Sequence, residues 1–491
     1  MKVFSNLLNL LFKIILLIVI LGKLIYIKRD IANGFITVKL LSIILIIITI
    51  FMLFITWYLL KRKCKKSYIM LLILGVGFLI RLGWLYNIDS IPISDFNRMF
   101  ICANDFLNGD TSTFKNIGYL GKYPHMTVTV LYFALIQQLF SNPLLAIRFI
   151  NIFFSMANIL LLYFISKEIF KEEAKSIYVL LISALYPPMI IYNNVYCSEN
   201  LAIPLLLLSI LLFLKFFNTD KLNFLLLSGL ILGISHLFRP NGYVVAFAYS
   251  MYIFIYLQKN LKFKIINILS VVGAFLLPFI IVSCALIALN ITNNHLWHGT
   301  EPPTISMLKG ANIKCAGRWN EEDAKVLDKY DGDYEKVDEA ARKMIKERLT
   351  NISPRELFNF YLLKYTKLWI SGDFGGFTWS EWGFDEAQNK EAYLHLMGKT
   401  EGRLLVRVST DGNLYVQFFY LLVLIMSYIG LYKGNQHKNY NIDLIYIIFC
   451  GVSLQCLITE SQDRYTYPVS WVFIILCMTM FNSSSNKELI S

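Results

Sequence analysis

The chain contains many unbroken apolar runs of roughly 20 residues, and this feature restricts its fold more than any other. A helix needs about 20 residues to cross the hydrocarbon layer of a bilayer. Inside lipid a helix satisfies its own backbone hydrogen bonds, whereas an open strand does not. We therefore predict an all-α polytopic membrane protein. About twelve transmembrane helices are expected, at 5–27, 37–60, 68–88, 143–166, 176–194, 198–217, 222–238, 242–258, 264–290, 412–432, 440–459 and 465–481.

The short loops between these runs predict the orientation, because cytoplasmic loops are enriched in Lys and Arg. The densest basic cluster, 61–66, is assigned to the cytoplasm. Alternation of the helices then places both termini in the cytoplasm. The membrane is expected to be the plasma membrane of the cell. Alternation also places four further basic loops on the cytoplasmic side, near 167–175, 215–221, 259–264 and 433–438.

One apolar stretch, 124–141, must not cross the bilayer, or every later loop would change sides. We expect it to contribute interfacial or re-entrant helices to the first external loop. The one long polar segment is expected to be a small extracytoplasmic insertion of mixed secondary structure. The predicted parts are an N-terminal transmembrane hairpin at 1–66, a transmembrane catalytic core at 67–290 with the external loop 89–142, the insertion at 291–411, and C-terminal transmembrane helices at 412–491.

Composition and motifs exclude several classes of function. The formal charge is +13, but the basic residues form short clusters between apolar runs, so a nucleic-acid partner is not expected. No phosphate-binding P-loop and no GxSxG nucleophile motif is present. His295 and His298 have a spacing seen in metal sites, but no third ligand accompanies them. The sequence predicts no metal site and no obligatory cofactor, and it leaves a divalent cation open.

Two acidic residues are placed near the external surface, where charges close to hydrocarbon are costly. Asp95 follows Pro92 in the first external loop, and Glu199 begins the sixth predicted span. Two carboxylates in one polar cavity suit a general base and a group that positions the substrate. Alternatively, Asp95 only solvates the loop or caps a helix.

Three cationic residues are expected on the same face: Arg239, Arg464 and Lys122. The planar fork of arginine suits phosphate, because it donates paired charge-assisted hydrogen bonds. The alternative is that the arginines reach lipid headgroups or pair with Glu460 and Asp463. The aromatic segment 379–382, with its two tryptophans, either stacks a sugar or rests on the membrane interface.

The order of these motifs resembles the glycosyltransferase C superfamily, in the branch of the protein O-mannosyltransferases and aminoarabinose transferases. The resemblance runs from the third span onward. Two departures are the Phe96 that follows Asp95, where many relatives carry a second acid, and the two spans that precede the core. The motifs are Ser94-Asp95-Phe96, Lys122-Tyr123-Pro124, Tyr186-Pro187-Pro188 through Glu199, Gly229 to Asn241, and Glu460 to Pro468.

The resemblance implies an inverting membrane glycosyltransferase that takes its sugar from a polyprenyl phosphate at the extracytoplasmic face. It implies that Asp95 is the general base and that Glu199 assists. The acceptor stays open between a protein, a teichoic acid, a lipid and another glycan of the envelope. Residues expected to bind the lipid phosphate or substrate are Arg98, Lys122, Tyr123, His125, Arg239, Arg464 and Tyr465.

Two other functions fit a polytopic membrane protein. A transporter or flippase would be expected to place its charged site near the bilayer midplane and often to show repeated halves. An envelope polysaccharide polymerase or ligase would be expected to depend on loop Arg and His side chains instead of Asp95. The polar residues at external helix ends favour the glycosyltransferase.

Overall fold

The computed structural model describes residues 1–34, 36, 38–88, 90–380, 408–409, 411–433 and 440–481. Within these ranges the regular structure is helical, without a strand, which confirms the all-α prediction for this part of the chain. The first thirteen helices are α1 (Lys2–Ala32), α2 (Leu40–Lys61), α3 (Lys66–Asn87), α4 (Ser94–Leu107), α5 (Tyr119–Lys122), α6 (Thr127–Leu139), α7 (Pro143–Phe170), α8 (Glu173–Leu185), α9 (Pro187–Ile191), α10 (Glu199–Thr219), α11 (Leu222–Phe238), α12 (Gly242–Tyr256) and α13 (Leu261–Ala288). The remainder are α14 (Pro303–Gly310), α15 (Glu321–Ala324), α16 (Val326–Lys329), α17 (Tyr334–Thr350), α18 (Pro354–Trp369), α19 (Gly376–Ser380), α20 (Asn413–Lys433), α21 (Asn441–Ile458) and α22 (Val472–Leu476).

The predicted spans fall on helices of different length, and the last, 465–481, contains only 3-10 segments and the five-residue α22. In the described ranges eight are long and apolar enough to cross a membrane, and a bent pair at 173–194 raises the number to nine. The pair bends by 54° where Pro187 and Pro188 interrupt the helix. Two further spans, α11 and α12, are shorter apolar helices. The count of about twelve therefore stays a prediction.

The stretch predicted not to cross forms α6, which has 13 residues and is about 20 Å long at 1.5 Å per residue. Just before α6, the Tyr123 hydroxyl donates to Glu301 at the start of the insertion. Just after α6, Arg148 of α7 donates to the Ile88 carbonyl, at the end of α3 that leads into the first external loop. Both contacts involve segments next to the first external loop or the insertion, which agrees with the prediction of a non-crossing helix, and the crossing itself stays a prediction.

Four of the five basic loops, at 61–66, 167–175, 215–221 and 259–264, contact one another in pairs at the opposite end of the bundle. The fifth, 433–438, lies outside the described residues except for its first residue. Lys66 and Lys167 both pair with Glu173, at 4.0 and 3.1 Å. Lys259 pairs with Asp220 at 2.7 Å. These contacts join the loops that the charge bias assigns to one side of the membrane.

The first helix is packed into the bundle, although the sequence left the role of the N-terminal hairpin open. Phe12 and Leu16 are fully buried in the main core, and Lys23 is buried as well. The Lys23 ammonium donates to the Ile370 carbonyl, just after α18, and to Gln417 on α20. A buried ammonium is stabilised by such acceptors, so α1 is an integral element of the helix bundle.

In the described part of the insertion, 291–380, 408–409 and 411, the regular structure is helical, where mixed secondary structure was expected. The anchor of the insertion is Lys364 of α18, whose buried ammonium donates to three carbonyls at 2.7 to 2.8 Å. These belong to Gly310, Leu457 and Thr459, which lie at the ends of α14 and α21. Lys364 thereby fixes the insertion to the chain segment that leads into Glu460.

Candidate active site

Four separate segments of the chain bring the predicted acids and arginines together. Asp95 lies in the first turn of α4 and Glu199 is the first residue of α10, so each carboxylate lies at a helix N-terminus, which favours negative charge. Arg239 directly follows α11. Arg464 lies in a 3-10 turn at 463–469, between α21 and α22. Each functional group therefore projects from a helix end, where the chain changes direction.

The side chains alternate in charge. Arg239 lies 3.5 Å from Glu199, and Arg464 lies 3.8 Å from the same carboxylate oxygen. Arg464 also lies 4.0 Å from Asp95. The order Asp95, Arg464, Glu199, Arg239 balances two negative charges against two positive ones. We call these four residues the charged cluster.

The charged cluster is deeply buried on one side and open on the other. The side chains of Glu199 and Arg464 are only 1% and 4% exposed, whereas that of Asp95 is 42% exposed. Among the described residues, Glu199 Oε1 and the Nε and Nη1 atoms of Arg464 have no hydrogen-bond partner. Buried donors of this kind are costly when unpaired, so the Arg464 guanidinium has two donors that can serve an anionic ligand.

Aromatic rings hold the guanidinium groups in place. Arg464 lies 4.2 Å from the ring centre of Trp379 and 4.7 Å from that of Phe96. Arg239 lies 4.9 Å from the ring centre of Tyr465. These are cation–π contacts. Phe96, which the sequence marked only as a departure from the family pattern, is therefore part of the site. Trp379 contacts an arginine, and its expected companion Trp382 lies outside the described residues.

A tyrosine that the sequence did not single out contacts the predicted base. The Tyr119 hydroxyl donates to Asp95 Oδ1 at 3.2 Å. Burial, together with the neighbouring Asp95 carboxylate, raises the pKa of Tyr119 above its usual range, so the hydroxyl keeps its proton. The Arg98 guanidinium lies 5.8 Å from the centre of the Tyr119 ring, and Arg98 is not a member of the charged cluster. The only signal in the sequence is that Tyr119 lies in the loop that ends at Lys122-Tyr123-Pro124.

The remaining predicted binding residues lie around this centre. Burial lowers the pKa of His125 to about 4, assisted by the nearby Arg239 and His236, so its imidazole is neutral at pH 7. Tyr123 is directed to Glu301 of the insertion. Lys122 pairs with the exposed Asp328 at 3.9 Å and is not part of the charged cluster.

The alternative pairing of the arginines with Glu460 and Asp463 is wrong for the described structure. Asp463 pairs with Arg318 at 2.9 Å. Glu460 accepts the Tyr465 hydroxyl at 3.2 Å. Arg464 follows Asp463 directly in a 3-10 turn, and its side chain reaches the acids of α4 and α10 instead.

Residues 124–287 match the family model described as dolichyl-phosphate-mannose-protein mannosyltransferase. This confirms the glycosyltransferase C-type resemblance. The match covers about one third of the chain and includes His125, Glu199 and Arg239. It points to a membrane glycosyltransferase. No curated protein matches the chain.

The histidine pair of the insertion has structural contacts. The His295 ring stacks on Trp297 at 4.2 Å and contacts Ser283 of α13. His298 packs against Tyr334. In the described part of the chain no group of three His, Cys, Asp or Glu residues is close enough to hold a metal ion. The charged cluster, with its two guanidinium groups, suits chemistry on an anionic substrate.

Proposed function

We propose that this protein is an inverting membrane glycosyltransferase that transfers a sugar from a polyprenyl-phosphate donor to a hydroxyl acceptor of the cell envelope. The observation that carries the proposal is the charged cluster, in which one accessible carboxylate lies beside two guanidinium groups. The family match supports this class of donor. We propose the extracytoplasmic face for the site, which is supported by the charge bias of the basic loops within the described residues.

In this mechanism Asp95 is the general base. It takes the proton of the acceptor hydroxyl while the hydroxyl oxygen attacks the anomeric carbon from the face opposite the phosphate. A new carbon–oxygen bond forms to the acceptor, and the bond from the anomeric carbon to the phosphate oxygen breaks. The exposed side of Asp95 gives the acceptor access. The Tyr119 hydroxyl orients the other carboxylate oxygen.

Arg464 and Arg239 hold the departing phosphate. Before transfer the charged cluster is neutral, and the donor phosphodiester carries one negative charge. During transfer Asp95 gains a proton, so the cluster becomes positive as the phosphate gains its second negative charge. This matched change in charge stabilises the transition state more than the bound donor, which is the requirement for catalysis. Glu199 fixes the position of both guanidinium groups.

The rival function of transport fits this arrangement less well. Glu199, Arg239 and Asp95 all lie at or beyond the ends of helices. Transporters usually bind their substrate near the bilayer midplane. A transporter would also leave the bond between sugar and phosphate intact, so cleavage of the donor separates the two functions.

The test is transfer by purified protein in proteoliposomes with polyprenyl-phosphate mannose as the donor. We expect Asp95→Asn to lower the transfer rate by a factor of about 10² to 10⁴, the usual contribution of a general base. The matched control is Asp110→Asn, which changes an exposed aspartate of the same loop and is expected to keep the rate. Normal transfer by Asp95→Asn, at equal protein level, would overturn the mechanism.

A further inference from the structure

A second buried group of charges lies beside the charged cluster, and two of its three members come from the insertion. Lys309 of α14 lies 3.7 Å from Glu301 and 3.8 Å from Glu460. The three side chains are 4%, 9% and 12% exposed. Two carboxylates thus share one ammonium group. Glu301 and Lys309 belong to the insertion, whereas Glu460 follows α21.

This group is connected to the arginines through Tyr465. Glu460 accepts the Tyr465 hydroxyl at 3.2 Å. The Tyr465 ring lies against the Arg239 guanidinium, 4.9 Å away, and beside Arg464 at 5.6 Å. The orientation of Tyr465 therefore depends on Glu460 and affects both groups that are assigned to the phosphate.

The ionisation of Glu460 depends on charges from four elements. Burial raises the pKa of Glu460, and the Asp95 carboxylate on α4 adds to this. Lys309 on α14 opposes the rise, as do the Tyr465 and Gln462 side chains of its own loop. Lys364 on α18 also interacts with Glu460. Glu301 also pairs with Lys309 and therefore competes with Glu460 for it.

We propose that Lys309 is a positioning residue that the insertion supplies to the active site. Its ammonium keeps Glu460 as a carboxylate, and the carboxylate holds the Tyr465 ring against Arg239. A charged acceptor forms a stronger hydrogen bond than a neutral one. A buried carboxylate without a compensating cation is also unfavourable. The insertion is then part of the catalytic machinery, and this role rests on the proposed function.

The first test measures the protonation of Glu460 and does not depend on activity. Infrared difference spectra between the protein and its Glu460→Gln variant identify the carboxyl band of Glu460. We expect Glu460 to be ionised at pH 7 in the wild type and to become protonated in part in Lys309→Met. An identical protonation state of Glu460 in both proteins would overturn the proposal.

The second test is the pH profile of kcat/KM for mannose transfer from polyprenyl-phosphate mannose. We expect Lys309→Met to move the acidic limb of the profile to higher pH by about one unit, which is the effect of losing one opposite charge nearby. Lys309→Arg keeps the charge and is expected to leave the limb in place. Lys336→Met, which breaks an exposed pair in the same insertion, is the matched control and is expected to have no effect.

A further pair of variants separates this role from direct action on Asp95. In a Glu460→Gln background Lys309→Met is expected to leave the limb unchanged, because the titrating group is gone. A limb that still moves shows that Lys309 acts elsewhere and overturns the proposal.

If Lys309→Met does not fold, the double variant Lys309→Met with Glu301→Gln is used in its place. The double variant removes one charge of each sign. A wild type without transferase activity contradicts the proposed function, while the infrared result still decides the protonation of Glu460.

Discussion

At the scale of single residues, Arg464 is the centre of the site. It contacts both acids of the charged cluster and lies near three aromatic rings, although it is 4% exposed. Its ion pairs are longer than hydrogen bonds, and two of its nitrogen atoms have no hydrogen-bond partner in the described part of the structure. The sequence identified Arg464 from its motif, whereas its partners came only from the structure.

Replacing Arg464 by lysine tests the need for a planar fork. Lysine keeps the charge, but its ammonium is a point charge and cannot contact two acids and a phosphate in the same geometry. We expect Arg464→Lys to lower kcat/KM by a factor of about 10², similar to the loss of one charge-stabilising donor. The measurement is donor cleavage in proteoliposomes.

Arg318→Lys is the control for this substitution. Arg318 is a half-exposed arginine that pairs with the neighbouring Asp463. We expect this variant to keep more than about half of the wild-type rate, since exposed ion pairs contribute little. Equal rates for the wild type and Arg464→Lys would contradict the assignment of Arg464 to the phosphate.

At the scale of elements, the close packing of α11 on α13 positions Arg239. Gly229 and Gly233 lie on one side of α11, and small residues four apart allow two membrane helices to approach closely. A Cβ atom at Gly233 would lie less than 3.0 Å from the Phe275 carbonyl oxygen of α13. Arg239 directly follows α11, so a shift of this helix moves the guanidinium.

We therefore expect Gly233→Ala to push α11 away from α13 and to cost about 1 to 3 kcal/mol, the usual penalty for overpacking. Thermal unfolding in detergent measures the stability of the variant. The rate of sugar transfer from the donor reports whether Arg239 is still in position. Gly273→Ala is the matched control, because a Cβ atom at Gly273 of α13 meets no neighbour within 4 Å. A Gly233→Ala variant as stable and active as Gly273→Ala would show that the contact does not position Arg239.

At the scale of the whole molecule, the two ends of the bundle differ in charge and in content. One end collects the external loop, the insertion and the charged cluster, through contacts such as Thr300 with Gly121 and Glu460 with Ser306. The other end collects the four basic loops that lie within the described residues. This separation agrees with the orientation that the charge bias predicts, and the sidedness itself stays a prediction.

Labelling with a membrane-impermeant maleimide tests the sidedness. In a cysteine-free background we expect Asn97→Cys and Lys343→Cys to react in intact cells. Arg62→Cys and Lys221→Cys are expected to react only after the membrane is opened. All four positions are exposed in the structure. Reaction of Arg62→Cys in intact cells would reverse the orientation, and opposite behaviour of Asn97→Cys and Lys343→Cys would place α6 across the membrane.

The sequence by itself predicted that the apolar runs are helical, as they are in the described residues, because lipid forces each backbone segment to satisfy its hydrogen bonds locally. It also identified Asp95, Glu199, Arg239 and Arg464 as candidates, because ionisable residues next to apolar runs are costly.

Only the tertiary structure decided which charges meet. Arg464 pairs with Asp95 and Glu199, hundreds of residues away in the chain, and not with the neighbouring Glu460 and Asp463. The tertiary structure also brings Lys309 of the insertion next to Glu460. The strength of an ion pair depends on its distance and burial, and both are set by packing between segments that no local pattern relates.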